Sequence, residues 1–171
     1  MVRQSASAEE QARRQAAEQT ARAAASMEQA EQQLSAGDLS ADGYADLVVG
    51  ADQVFALDHQ VFHKPKSVDE AKQQLLQLNG KAHHLHTAYA MYRNGQNIAQ
   101  YCETATLTMR QLSNTFIEIY IASTPETLLT SIGCYQLEGR GIQLMQDIKG
   151  DYFSILGLPL LPLLGHLREL G

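Results

Sequence analysis

Apolar and polar positions are distributed unevenly along the chain, and the first third has few large apolar side chains. Between residues 7 and 34 the apolar content is mostly alanine, and Met27 and Leu34 are the only large apolar residues. This stretch is rich in good helix formers and lacks Gly and Pro, and Ser7 with Glu10 forms a capping-box pattern. The pattern predicts a long helix that packs only lightly.

From Leu47 onward the pattern changes to short apolar runs separated by turn residues. Residues 47–51 are predicted to form a buried central strand, and residues 54–57 a second strand that turns at 58–60. Ser67 and Glu70 form a further capping box, which predicts a helix that continues through Leu78.

A long hairpin is predicted in the middle of the chain. Residues 83–93 and 97–109 are the expected strands, and Asn94-Gly95 between them is the strongest local hairpin signal in the sequence. Ser113 and Pro125 are expected to begin two more helices, and residues 159–170 form a leucine-rich helix. Strands separated by helices, together with one hairpin, indicate an α/β fold with a mixed twisted sheet.

Length and composition narrow the class of protein. A chain of 171 residues with 44% hydrophobic and 19% charged residues is expected to form a single domain over 1–171, with a loosely packed helical segment at 1–43 and a core at 44–171. The net charge of −6 argues against a nucleic-acid-binding surface. Cys102 and Cys134 are expected to be reduced thiols, and no apolar run is long enough to span a bilayer. We therefore expect a cytoplasmic protein without a membrane partner.

Asp52 is the first candidate for chemistry, because it follows an apolar run and a small-residue step. Ligands of open α/β sheets lie at the carboxyl ends of strands, where a carboxylate can bind a metal or accept a proton. An Asp at that place also commonly begins a turn. The local sequence alone leaves both interpretations open.

Several short motifs, taken in order, point to one family. They are Leu47-Val48-Val49-Gly50-Ala51-Asp52-Gln53, Val54-Phe55-Ala56-Leu57-Asp58, His63-Lys64-Pro65, Leu78-Asn79-Gly80-Lys81-Ala82-His83, Glu103-Thr104, Met109-Arg110, Gly133-Cys134-Tyr135-Gln136-Leu137-Glu138-Gly139, Ile148-Lys149-Gly150-Asp151-Tyr152 and Leu156-Gly157-Leu158-Pro159-Leu160. In this order and spacing the series resembles the Maf family of nucleotide pyrophosphatases, once linked to septum formation. With Gln53 after the Asp and Glu138 late in the chain, the sequence resembles a proteobacterial branch of that family.

The resemblance implies a Maf/ITPase-like fold and hydrolysis of a nucleoside triphosphate to a monophosphate and diphosphate, with a divalent cation, Mg²⁺ or Mn²⁺. It implies that Asp52 is the general base and a metal ligand, and that Glu10 is a second metal ligand. It also implies substrate-binding roles for Lys64, Lys81 and Glu138. The resemblance allows a homodimer.

The chain also departs from the family pattern. Family members open with a strand and a Ser-x-Ser-Pro-Arg-Arg loop that holds the phosphates, and here only Ser5 and Ser7 correspond to it. His63 replaces a Gly, Gln29 replaces a Lys, and Glu138 stands where most members have Gln. Three hypotheses follow: a pyrophosphatase with weak turnover, a catalytically impaired binding or regulatory module, or a fragment of a longer active enzyme.

Five further polar residues lie on the predicted hairpin. His83, His84 and His86 superficially resemble a zinc cluster, but His83 faces away from the other two in a strand. We expect a half-exposed strand there rather than a zinc site. Glu103 and Arg110 are seven positions apart, so they are expected on opposite faces of the sheet. We expect each of them either to stabilise the fold or to contact residues that bind the substrate.

Overall fold

A computed structural model describes residues 47–58 and 60–171, so the predicted N-terminal helix lies outside the described residues. The described chain forms a five-stranded sheet with strand order β2-β1-β3-β4-β5. Its strands are β1 (Leu47–Leu57), β2 (Gln60–Phe62), β3 (Ala82–Arg93), β4 (Gln96–Met109) and β5 (Met145–Lys149). Its helices are α1 (Val68–Leu78), α2 (Asn114–Ser123), α3 (Pro125–Leu128), α4 (Tyr152–Ile155) and α5 (Leu160–Glu169), with two 3₁₀ turns at Ile132–Cys134 and Arg140–Leu144.

The first strand differs from its prediction in two ways. β1 is one continuous strand rather than two, because Asp52 and Gln53 stay in register with Ala88 and Thr87 of the long β3 partner. It is also not a buried central strand: Ala51 is exposed, and within the described residues β2 covers only the last three positions of its outer side. A mixed sheet was expected, and the pairings between the described strands are all antiparallel.

The predicted hairpin is confirmed. β3 and β4 pair along their length, and the turn residues Asn94 and Gly95 have φ angles of 52° and 74°. Two successive positive φ angles are the geometry of a type I′ turn, which matches the right-handed twist of the strands that it joins.

The helix starts predicted at Ser67, Ser113 and Pro125 are confirmed as well. The Ser67 side chain accepts a hydrogen bond from the Glu70 N–H at 3.2 Å at the start of α1, and Ser113 does the same for Phe116 at the start of α2. Pro125 is the first residue of α3, where its missing N–H costs nothing. The strands β2 and β5 and the short helix α4 were not predicted.

The two clusters of the hydrophobic core lie on one face of the sheet, and further apolar residues, Val54, Ala56, Ala88 and Ala90, are buried on the other face. The larger one packs the C-terminal half of β1 and its neighbours against α1 and α2, and includes Phe55, Leu75, Leu78, Leu85, Leu107 and Ile117. The smaller one packs Tyr89 and Met91 of β3 against Leu163 of α5. Gln53 and Thr87 lie on the same face, between the two clusters along the strands. No helix in the described part of the chain is long and apolar enough to cross a membrane.

Candidate functional site

One cleft collects residues from β1, β3, the segment after β2, the loop after α3 and the helix α4. It encloses about 270 Å³, just below the range of about 300–1,000 Å³ that is typical of small-molecule sites. Its lining residues are Gln53, Lys64, Leu85, Thr130, Ser131, Ile132, Tyr135, Gln136, Leu137, Glu138, Ile155 and Leu156. The cleft therefore includes two of the predicted site residues, Lys64 and Glu138.

Lys64 reaches the cleft from the short segment between β2 and α1. The segment is held in place because the Gln74 side chain of α1 donates a hydrogen bond to the His63 carbonyl at 3.0 Å, and because Pro65 is buried. The lysine itself is exposed. A cation on a flexible stem at the mouth of a cleft is suited to an anionic oxygen of a ligand.

Glu138 is carried by a loop that is anchored in the core through Tyr135. The Tyr135 hydroxyl lies 2.6 Å from Nε2 of His83, whose ring stacks on Phe55 with centroids 4.6 Å apart. Gly133 precedes this loop with φ +77°, and a Cβ there would collide with the Phe55 ring. The exposed Glu138 carboxylate is thus presented by a backbone that the core holds in place.

Burial determines the protonation states of His83 and Tyr135, the hydrogen-bonded pair that anchors this loop. It lowers the pKa of His83 to about 4 and raises the pKa of Tyr135 well above its usual range. At neutral pH the hydrogen bond therefore joins a neutral phenol to an uncharged imidazole. The anchor adds no charge, so Lys64 and Glu138 are the charged side chains among the residues that line the cleft.

Gln53 completes the cleft, and the sequence indicated it only as a feature of one family branch. Its Nε2 lies 2.8 Å from Thr87 Oγ1, 2.9 Å from the Ser154 carbonyl and 3.1 Å from the Ile155 carbonyl. The period-two alternation of β1 could have indicated it, because Gln53 shares its face with Phe55 and Leu57.

Asp52 is not among the residues that line the cleft. Its neighbour Gln53 points to the cleft side of the sheet, so the Asp52 side chain belongs to the opposite face of β1. One carboxylate oxygen accepts the backbone N–H of Gln53 at 2.8 Å. The predicted convergence of Asp52, Lys64 and Glu138 therefore holds in the structure for Lys64 and Glu138, which line one cleft, whereas Asp52 lies one residue away on the other side of the strand.

Lys81 is not among the residues that line the cleft. It precedes β3 and pairs its backbone with Met109, whereas the cleft meets β3 at Leu85. Glu10, the other predicted metal ligand, lies outside the described residues.

The carboxylate donor set fits a hard cation only in part. Mg²⁺ in nucleotide enzymes is commonly held by one or two carboxylates, with the substrate phosphates and water supplying the remaining oxygens. Asp52 is a half-exposed carboxylate with one oxygen that makes no hydrogen bond to the described residues, so it fits the role of such a ligand. The described residues contain no group of three or more acidic, histidine or cysteine side chains around a common centre.

The histidines of β3 serve the fold. His84 Nδ1 lies 3.1 Å from Thr106 Oγ1, and His86 Nδ1 lies 2.9 Å from Thr104 Oγ1, so both are bonded across to β4. The expected half-exposed strand is wrong, because His83 and His86 are 0% and 1% exposed. His83 is covered because its ring packs between those of Phe55 and Tyr135, with centroids 4.6 and 5.7 Å away.

Glu103 and Arg110 lie away from the cleft lining. Glu103 is opposite Thr87 in the β3–β4 ladder and accepts a hydrogen bond from the Tyr101 hydroxyl at 3.2 Å. Arg110 follows the last residue of β4, and its guanidinium lies 5.3 Å from the centre of the Phe116 ring. Arg110 therefore packs on the start of α2, while Glu103 lies beside Thr87, which contacts Gln53.

Comparison with known proteins adds the context of a family. The profile of the family described as "Maf-like protein" matches residues 1–170. A 7-methyl-GTP pyrophosphatase of Rhizobium meliloti (strain 1021) is 50% identical over 125 residues, which cover 73% of this chain and 63% of that protein. A protein of the same description from Bartonella henselae is 52% identical over 123 residues, covering 72% of this chain and 62% of its own length.

A third relative has a broader description. A nucleoside triphosphate pyrophosphatase of Hyphomonas neptunium is 51% identical over 122 residues, covering 71% of this chain and 62% of that protein. The matched region thus spans less than two thirds of the length of these three relatives. The family match nevertheless extends along almost the whole sequence, and the sheet and helices described above agree with it. On these grounds the chain belongs to the Maf family.

Proposed function

We propose that this chain binds a nucleoside triphosphate in the cleft and hydrolyses it between the α and β phosphates, which yields a nucleoside monophosphate and diphosphate. The observation that carries the proposal is the presence of one cation and one anion, Lys64 and Glu138, in a cleft that otherwise has neutral walls. Membership of the Maf family and the names of the relatives support the same reaction.

Glu138 and Gln53 are assigned to the base. An ionised carboxylate only accepts hydrogen bonds, so Glu138 suits a base edge that carries N–H groups. Guanine offers such donors, and a methyl group on its N7 also gives the ring a positive charge that a carboxylate favours. These properties, together with the 7-methyl-GTP pyrophosphatases among the relatives, lead us to propose 7-methyl-GTP as a substrate.

Lys64 is assigned to the phosphates, because its ammonium group can neutralise a phosphate oxygen at the mouth of the cleft. A divalent cation, Mg²⁺ or Mn²⁺, would neutralise the remaining phosphate charge. Asp52 is assigned the role of general base, accepting a proton from the attacking water, and of a ligand to the cation. The match of the segment that carries Asp52 to the motif of the Maf family supports this assignment.

A binding or regulatory module that lacks turnover is the second candidate function. It is favoured by the position of Asp52 on the opposite face of β1 from the cleft lining. Such a protein would still use Gln53, Lys64 and Glu138 to bind a nucleotide, but no carboxylate would be placed to activate water.

An assay of product release separates the two functions. The 171-residue chain is incubated with Mg²⁺ and a panel of nucleoside triphosphates that includes 7-methyl-GTP, and monophosphate, diphosphate and orthophosphate are quantified separately. Equal amounts of monophosphate and diphosphate, with 7-methyl-GTP preferred, are the expected result. Nucleotide binding without any product supports the regulatory module, whereas orthophosphate release or the absence of binding contradicts both functions.

A further inference from the structure

The side-chain amide of Gln53 has its orientation fixed by chemistry. Its Nε2 approaches the main-chain carbonyl oxygens of Ser154 and Ile155 at 2.9 and 3.1 Å. Carbonyl oxygens only accept hydrogen bonds, so the NH₂ group and not the amide oxygen must face them. The amide oxygen is therefore the polar atom of Gln53 that remains available to a ligand in the cleft.

Thr87 reinforces that orientation from β3. Its hydroxyl is fully buried, and it donates to the Ser154 carbonyl at 2.9 Å. Because its single hydrogen is used in that bond, its oxygen presents a lone pair to Gln53 Nε2, which lies 2.8 Å away. The hydrogen bonds thus run in one direction, from Gln53 through Thr87 to Ser154.

The acceptor at the end of this chain is itself held in place. Ser154 is 1% exposed, and both its N–H and its hydroxyl donate to Oδ1 of Asp151, at 3.1 and 3.3 Å. Asp151 is the N-terminal cap of α4, so the carbonyls that receive the Gln53 amide belong to a capped helical turn. A site that is held by fixed neighbours in this way presents one hydrogen-bonding pattern to its ligand.

We propose that Thr87 is a positioning residue for base selection: it holds the Gln53 amide so that an acceptor oxygen, beside the Glu138 carboxylate, faces the cleft. The inference rests on the proposed function and names the chemical class of base that the cleft selects. Two acceptors favour a base edge that donates N–H groups, as guanine and 7-methylguanine do, over an adenine edge with a ring-nitrogen acceptor. Without the Thr87 hydroxyl the NH₂ group keeps the two carbonyls as acceptors but loses its shortest contact, so the amide and its acceptor oxygen are held less firmly in place.

Three variants test this inference. Thr87→Val removes the hydroxyl with little change of shape, and Thr87→Ser restores a hydroxyl without the methyl group. Thr106→Val is the matched control, because Thr106 is bonded to His84 and not to Gln53. If Thr87→Val fails to fold, Thr87→Ala, which also removes the hydroxyl, takes its place.

Two measurements are made on each variant. The ratio of kcat/KM for 7-methyl-GTP to that for ATP should fall about tenfold in Thr87→Val through KM, which is the scale of one lost hydrogen bond to a ligand. It should stay near the parent value in Thr87→Ser and Thr106→Val. The Gln53 side-chain NH₂ protons, observed by NMR, should exchange slowly with solvent in the parent and lose that protection only in Thr87→Val.

The two readouts separate failure of the positioning role from failure of the proposed function. An unchanged substrate ratio in Thr87→Val, despite lost NH₂ protection, overturns the inference. Equal protection in the parent and Thr87→Val overturns it as well, whatever the activity. If the parent hydrolyses no nucleotide, the proposed function fails. The ratio of the dissociation constants for 7-methyl-GMP and AMP then replaces the ratio of kcat/KM values. Equal affinities of the parent for these two nucleotides overturn the inference.

Discussion

The imidazole of His83 and the phenol of Tyr135 form a buried 2.6 Å hydrogen bond that joins strand β3 to the loop that carries Glu138. Both rings also contact Phe55, with the His83 ring stacked on it and the Tyr135 ring edge-on. This contact links the stability of the core to the position of a candidate ligand-binding carboxylate. It also places a titratable group where protonation is unfavourable.

The first prediction concerns stability at acid pH. Burial lowers the pKa of His83 from 6.5 to about 4, so the unfolded chain binds a proton between these values while the folded chain does not. The contribution of His83 to the free energy of unfolding is therefore complete above pH 6.5 and is lost progressively as the pH falls towards 4. The difference between these two pKa values corresponds to about 3 kcal/mol in the free energy of unfolding. Urea unfolding of the parent and of His83→Gln across this range measures it, and an equal pH slope for the two proteins contradicts the prediction.

The second prediction compares two neighbouring lysines. Lys64→Met should weaken binding of a nucleoside triphosphate about tenfold or more, because a charge-assisted contact with a phosphate oxygen is lost. Lys66→Met removes the same charge two residues away, outside the cleft lining, and should leave the dissociation constant within about twofold. Isothermal titration at fixed ionic strength measures both. Equal losses would indicate a general charge effect instead of a specific contact.

The third prediction concerns Glu138. Glu138→Gln keeps the shape of the side chain but removes its negative charge and adds N–H donors, so the preference for 7-methyl-GTP over GTP should fall by about tenfold or more. Glu126→Gln is the charge-matched control, because Glu126 is exposed on α3 and does not line the cleft. The kcat/KM values of both variants for both nucleotides provide the test. A preference that is unaltered in Glu138→Gln would remove this carboxylate from base recognition.

The fourth prediction concerns Asp52. Asp52→Asn keeps an oxygen that can accept the Gln53 N–H, so the free energy of unfolding should stay within about 0.5 kcal/mol. As the proposed general base, Asp52 should contribute about a hundredfold or more to kcat. Diphosphate release and urea unfolding of the same variant test both parts. Full activity in Asp52→Asn would assign the proton transfer to another group.

The elements that the sequence predicted well are those with local causes. Asn94-Gly95 determines its hairpin through the positive φ angles that these residues tolerate, and Ser67 and Ser113 determine helix starts through hydrogen bonds to the third residue after them. The break predicted after Ala51 was wrong for a non-local reason. Pairing with β3 keeps the Asp52 and Gln53 backbone extended, and β3 is remote in sequence.

In the candidate site, too, local sequence motifs predicted some residues, whereas the roles of others depend on residues remote in sequence. Motif order indicated Lys64 and Glu138, and the fold places both in one cleft. Gln53 and Thr87 acquire their roles only through the carbonyls of α4, a helix that no local pattern predicted. A single polar residue in a strand carries no sequence signal for the partner that it meets across the sheet.

The most direct test of the nucleotide cleft is to map a bound ligand on the parent chain. The ¹H–¹⁵N spectrum is recorded while 7-methyl-GTP with a methylene bridge between its α and β phosphorus atoms is added in the presence of Mg²⁺. The account predicts saturable shifts that are largest at Gln53, Ser131, Glu138 and Leu156, and that are weakened in Lys64→Met. Shifts centred on another surface of the described chain, or none at millimolar ligand, would contradict it.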